Sequence, residues 1–192
     1  ACQDTGYAVV FADLGEEVEI DGGTLNNAII EGVRKGYEEG YLRKSIVEDP
    51  LNRVNTGDHT PPIIHLNFVP GDKLKLTVAP KGGGSENMST VKMMTPAAGE
   101  DGIVQTVIDW VETSGGNPCP PVYVGVATGG TFEYCAYLAK RALLRPIGQF
   151  SDDPDTARIE KRILEGCNKL GIGPMGLGGS TTVLWVSMLR YP

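Results

Sequence analysis

The spacing of apolar positions changes repeatedly along this chain, and each change marks an element. In Tyr7–Gly15, YAVVFADLG, the run Val9, Val10, Phe11 suits a buried pleat and predicts a strand. Over residues 24–47, Leu25, Ala28, Ile29, Val33 and Tyr37 recur at helical spacing, which predicts an amphipathic helix interrupted or ended near Gly40. Over residues 63–84 the period falls to two. Ile64, Leu66 and Phe68 alternate with His65 and Asn67, then Leu74, Leu76 and Val78 with Lys73, Lys75 and Thr77. Pro70-Gly71-Asp72 lies between, so the pattern predicts a β-hairpin, each strand burying one face, in a sheet that is at least partly antiparallel.

The helical period returns at 101–116, where Val104, Val107, Ile108 and Val111 share a face ahead of a C-capping Gly pair. An apolar strand over 121–131 runs into a glycine turn, followed by helices over 132–145 and 152–171. The second opens with an Asp cap and Pro154 in its first turn. A last β-branched apolar run, TTVLWVSMLRYP, closes the chain. The expected fold class is α/β, a mixed, partly antiparallel sheet flanked by helices, with residues 1–192 as a single domain.

Composition narrows the function classes. With 192 residues, 41% of them hydrophobic, the chain can bury a substantial core. A net charge of −7 without a basic stripe argues against nucleic acid or an anionic membrane as partner. No apolar run reaches the roughly 18 residues of a membrane span, and the expected location is cytoplasmic. The 26 glycines place the chemistry in turns. The missing initiator Met and the abrupt end suggest a piece of a longer protein.

Cys2, Cys119, Cys135 and Cys167 show no CxxC spacing that would announce a disulfide framework. Cys119, between prolines in GNPCPP, stands in a rigid turn and is a ligand or nucleophile candidate. Cys135 and Cys167 share helix faces with apolar residues and read as core. His59 and His65 lack metal-ligand spacing and read as solvated or hydrogen-bonded. PKGGGSENMS, residues 80–89, offers several backbone N–H groups beside Lys81, a nest able to hold an anion, with a plain loop as the alternative. NTGDHTPP, residues 55–62, is dense in turn formers and reads as structural.

Six stretches in order, CQDTGYAVVF, LRKSIVEDPLNRVNTGDHTPPIIH, VPGD, PKGGGSENMS, NPCPPVYVGVATGGT and LGIGPMGLGGSTT, resemble the class I, iron–sulfur fumarate hydratases and their L-tartrate dehydratase relatives, and most closely the α subunit of the two-subunit form. The resemblance implies a hydro-lyase that adds or removes water on a small dicarboxylate, foremost fumarate and L-malate, with L-tartrate as the alternative. It implies a [4Fe–4S] cluster held by three cysteines, of which Cys2 and Cys119 match two. The third, with a family histidine, is expected beyond Pro192, and a family segment is expected ahead of CQDTG.

The same resemblance gives Gln3, Arg43, Gly83 and Gly84 to substrate binding and Asp4 to proton transfer at the leaving oxygen. It assigns the carbon base to a β subunit or C-terminal domain, so a hetero-oligomer or dimer is expected and the chain alone is expected to be inactive. From the residues themselves two other classes stay open. One is an iron–sulfur electron carrier. The other is a non-catalytic anion- or nucleotide-binding module built on the PKGGGS and VATGGT turns.

Overall fold

A computed structural model describes residues 4–192. Cys2 and Gln3 lie outside the described residues. The chain is α/β and divides into two compact units, up to Glu86 and from Asn87 onward.

The first unit holds strand β1 (Tyr7–Gly15), helix α1 (Leu25–Glu39), strands β2 (Ile63–Val69) and β3 (Leu74–Lys81) and a single helical turn, α2 (Gly83–Glu86). Helix α1 begins at Thr24, whose side chain accepts from Asn27 N–H, and ends at Gly40. It packs Ile29, Val33 and Tyr37 against Ala8, Val10 and Ala12.

The hairpin expectation fails in its pairing. The sheet order is β2-β1-β3, with β1 parallel to β2 and antiparallel to β3. The strand whose residues Ala8 to Ala12 are all buried needs a hydrogen-bonded neighbour on each side. It takes the central place that a hairpin would have closed. The turn after β2 then crosses the end of β1: Gly15 N–H donates to Lys73 O at 2.9 Å and Glu17 N–H to Gly71 O at 3.0 Å. Glycine is required there, since a Cβ on Gly15 would lie 2.2 Å from Gly71 O. The buried-face expectation holds for Ile64 and Leu74, which pack on the core of α1, while Leu66, Phe68, Leu76 and Val78 are exposed.

The second unit holds α3 (Gly99–Ser114), β4 (Val122–Thr128), α4 (Phe132–Ala142), α5 (Pro154–Lys169) and β5 (Val183–Arg190), with short 3-10 turns at Pro96–Ala98 and Pro174–Gly176. Strands β4 and β5 pair in parallel. Val104 of α3, Ile159, Ile163 and Cys167 of α5, and Val126, Val186 and Met188 of the strands form its core. Asp153 caps α5 by accepting from Thr156 N–H at 2.9 Å. Among the described residues no helix is long and apolar enough to cross a membrane.

Glu160 is fully buried and fully occupied: it pairs with Arg145 and accepts from Ser151 N–H at 2.8 Å and Met188 N–H at 2.6 Å. Arg145 also donates to Met188 O at 2.9 Å. Removing one member of such a set strands the other in low dielectric. Arg145→Met is therefore expected to lower unfolding free energy by about 3 kcal/mol, read from the denaturant midpoint. Little change in that midpoint would show that water reaches the carboxylate.

Candidate active site

Loop 4–6 enters β1 through Gly6, whose φ is +40° and on which a Cβ would lie 1.7 Å from Lys81 O. Only glycine fits so close an approach. This brings the start of β1 beside the end of β3 and the glycines that follow it. Asp4 then bridges two segments: its Oδ1 accepts from Gly6 N–H at 2.7 Å and its Oδ2 from Gly84 N–H at 3.2 Å. The Gly6 amide most of all, then those of Gly84 and Gly83 and the charge of Arg43, hold the Asp4 carboxyl below the usual carboxylate range against a partial burial that opposes them.

The glycine nest read from the sequence thus holds an anion from the same chain. Lys81, beside it, donates to Ser85 Oγ at 2.6 Å and pairs with Glu86 at 3.4 Å. Arg43 is exposed, and its backbone is fixed by Thr5 Oγ1, which donates to Arg43 O at 2.6 Å. The first unit therefore gathers Asp4, Arg43, Gly83 and Gly84.

Cys119 belongs to the second unit. It is exposed, with φ at +57°, in a turn closed by its own N–H donating to Gly116 O at 3.0 Å. The turn is seated on the glycine-rich stretch before β5, where Met175 N–H donates to Pro120 O at 2.7 Å and Gly176 packs against Gly116. Asn168, at the end of α5, holds that stretch by accepting from Thr182 N–H at 2.8 Å and Val183 N–H at 2.9 Å. The sequence gives no sign of this support, because its members are far apart along the chain and none is a reactive residue type.

The other cysteines differ in chemistry. Cys135 donates to Ala127 O at 3.3 Å and burial raises its pKa; burial pushes the Cys167 thiol up to about 12. The thiolate is both metal ligand and nucleophile. Among the described cysteines, then, the donor chemistry that an iron–sulfur cluster requires fits Cys119, and among the described residues no group of three or more His, Cys, Asp or Glu could hold a metal ion. In the folded chain a thiol reagent at pH 7.5 is expected, among the described cysteines, to modify Cys119 first and leave Cys167 unmodified until the second unit unfolds. Mass mapping of the labelled peptides checks this, and early labelling of Cys167 would contradict its burial.

The VATGGT turn is also filled from within. Gly130 N–H donates to Pro192 O at 3.2 Å, and Thr131 Oγ1 donates to Glu133 Oε1 at 2.6 Å at the start of α4.

These features define an α/β chain with a carboxylate-and-glycine loop in one unit and a single ligand-competent cysteine turn in the other. The chain belongs to the fumarate hydratase family, described as Fumarate hydratase (Fumerase), whose pattern matches residues 1–192. Its relatives include the "Putative L(+)-tartrate dehydratase subunit alpha" of Methanocaldococcus jannaschii, 42% identical over 191 residues, covering 95% of this chain and 66% of the relative. The L(+)-tartrate dehydratase subunit alpha of Escherichia coli strain UTI89 is 37% identical over 199 residues, covering 100% of this chain and 65% of the relative. That of strain K12 is 36% identical with the same coverage. The chain thus spans just under two thirds of the length of these relatives.

Proposed function

We propose that the chain is the α-subunit part of a hydro-lyase that removes water from a small hydroxy-dicarboxylate, with L-tartrate as the leading substrate. The observation that carries this reading is the Asp4 carboxylate clamped between Gly6 and Gly84 with the exposed Arg43 beside it. The relatives' names favour tartrate over the fumarate and L-malate foremost in the motif resemblance. An electron carrier gains no support from a single ligand-competent described cysteine. A nucleotide module gains none from the VATGGT turn, which already serves Glu133 and Pro192.

In this reading Arg43 binds one substrate carboxylate through its planar fork. Gln3 and the Gly83-Gly84 turn complete the substrate pocket. Loss of water breaks one C–H and one C–O bond and forms C=C, with no net oxidation. The proton on carbon goes to a base on a β subunit or C-terminal domain, and Asp4 handles the proton at the departing oxygen. Cys2 and Cys119, with a cysteine outside this chain, would hold a [4Fe–4S] cluster, which when bound supplies Lewis acidity at that oxygen. A soluble cytoplasmic α/β assembly accords with this role.

The test is turnover by the full α/β assembly, purified anaerobically, on L-tartrate, L-malate and fumarate. Consumption of L-tartrate with the highest kcat/KM is expected. No turnover of any of the three by an iron-loaded assembly would overturn the hydro-lyase reading. In the same assay Arg43→Lys is expected to raise KM by about tenfold or more while kcat changes less, because lysine keeps the charge but loses the fork. An unchanged KM would remove Arg43 from the substrate.

A further inference from the structure

Segment 43–45 is fastened to loop 4–6 at two points. Thr5 Oγ1 donates to Arg43 O at 2.6 Å, and Ser45 Oγ donates to Gly6 O at 3.0 Å. Tyr37 OH reaches the same loop, donating to Thr5 O at 3.3 Å. Behind these contacts lies His59, fully buried, with its ring stacked on that of Tyr37 at 3.8 Å and 11° between planes.

His59 Nδ1 accepts from Ser45 N–H at 3.0 Å. An accepting Nδ1 puts the ring proton on Nε2, and that N–H has no partner among the described residues. The residue also stands at φ +62°, a region uncommon for any residue but glycine. A phenyl ring would fill the volume without a stranded donor, and glycine or asparagine would take the backbone angle more easily. What neither phenyl nor glycine supplies is a ring face for Tyr37 together with an acceptor for Ser45. That combination gives the imidazole a purpose at a position where it is otherwise unfavourable.

We propose that His59 is a positioning residue: through Nδ1 on Ser45 N–H and its stack on Tyr37, it locks segment 43–45 to loop 4–6 and so sets where Arg43 stands relative to Asp4. The inference rests on the reading of Arg43 and Asp4 as substrate-facing groups. His59 itself touches neither the substrate nor the reacting atoms.

The experiment compares wild type, His59→Phe and His59→Asn in the full α/β assembly, with Arg145→Met as a control for general loss of stability. Phe keeps the stack and loses the acceptor. Asn offers Oδ1 near the place of Nδ1 and tolerates the positive φ. Two quantities are read: amide hydrogen exchange at Ser45, and KM against kcat for L-tartrate. In His59→Phe, Ser45 exchange is expected to speed up about tenfold or more, and KM to rise about tenfold with kcat within about threefold. His59→Asn, which keeps an acceptor but loses the stack, should recover both in part, to values between those of wild type and His59→Phe, and Arg145→Met should leave KM unchanged.

Ser45 exchange at the wild-type rate in His59→Phe would overturn the proposal, as would equal KM values for the Phe and Asn variants. If His59→Phe does not fold, Ser45→Ala, which removes the hydroxyl donor to Gly6 O, takes its place with a raised KM expected; an unchanged KM overturns the lock. If the wild-type assembly turns over none of the diacids, the exchange pattern decides alone. Its presence keeps the positioning role while the hydro-lyase reading falls, and its absence removes the positioning role as well.

Discussion

Cys119→Ser is expected to abolish both turnover and iron retention in the full α/β assembly, while Cys135→Ala and Cys167→Ala keep both. The contrast follows from where the backbone puts each sulfur. Cys119 stands exposed in a turn whose shape is enforced by Gly116 and by the Met175 N–H on Pro120 O, so its thiolate can reach a metal without a change of fold. Cys167 lies in the core of the second unit among Ile163, Val183 and Val186, with its thiol pushed up to about 12. Its loss removes packing and costs about 1 kcal/mol. A cluster binds with high affinity only when all its ligands are in place, so serine, a poor ligand for iron–sulfur centres, should fail outright. Iron analysis and the visible absorbance of anaerobically purified protein check this. Full absorbance in Cys119→Ser would remove the ligand assignment, and its loss in Cys135→Ala would transfer it.

Asp4→Asn is expected to lower kcat by about 10²-fold or more with KM within about threefold. In the free protein the Gly6 and Gly84 amides favour the ionised form of Asp4, which suits accepting a proton from water in the hydration direction. In the proposed reaction, microscopic reversibility has the same group return that proton to the leaving oxygen. An incoming dianionic substrate raises the carboxyl pKa by like-charge repulsion and eases that return. Asparagine keeps the shape but carries no transferable proton, and it offers one acceptor oxygen where aspartate offers two. Steady-state kinetics at constant iron content separate the roles: a kcat near wild type assigns Asp4 to the clamp alone. Stability gives an independent check. Because the folded pKa is depressed, the carboxylate's contribution is fully present above the unfolded pKa and is lost as pH falls through the folded one. Wild type and Asp4→Asn should therefore differ in stability at neutral pH and converge in acid.

Much of this was legible along the chain. The apolar run of Val9, Val10 and Phe11 placed β1 to its residue bounds, Tyr7–Gly15, and helical spacing placed α1, α3, α4 and α5 to within a few residues. Capping chemistry marked the start of α5, where Asp153 and Pro154 fall as their types demand. The division of the cysteines into turn and helix positions foretold the exposed Cys119 and the buried Cys167, since a helix face shared with isoleucine and leucine faces a core, whereas Cys135, also read as core, is only half-buried. Local residue type and spacing carry this information because they act over one or two turns of backbone.

Pairing and assembly were decided elsewhere. Residues 63–81 alternate as a hairpin would, yet β1 intervenes, because the strand with the most deeply buried run satisfies its backbone groups on both sides. No local signal ranks that long-range pairing above the short one. The glycine nest was visible as a place for an anion, but only the approach of Gly6 to Lys81 O showed that the anion is Asp4, nearly eighty residues earlier in the chain. His59 read as solvated or hydrogen-bonded; it is buried and hydrogen-bonded, and only the stack on Tyr37 and the bond from Ser45 gave it a task. The sequence by itself determined which segments become strands, helices and turns. Tertiary structure alone decided which turns meet, since that choice rests on close backbone approach and on satisfying buried polar groups across long stretches of chain.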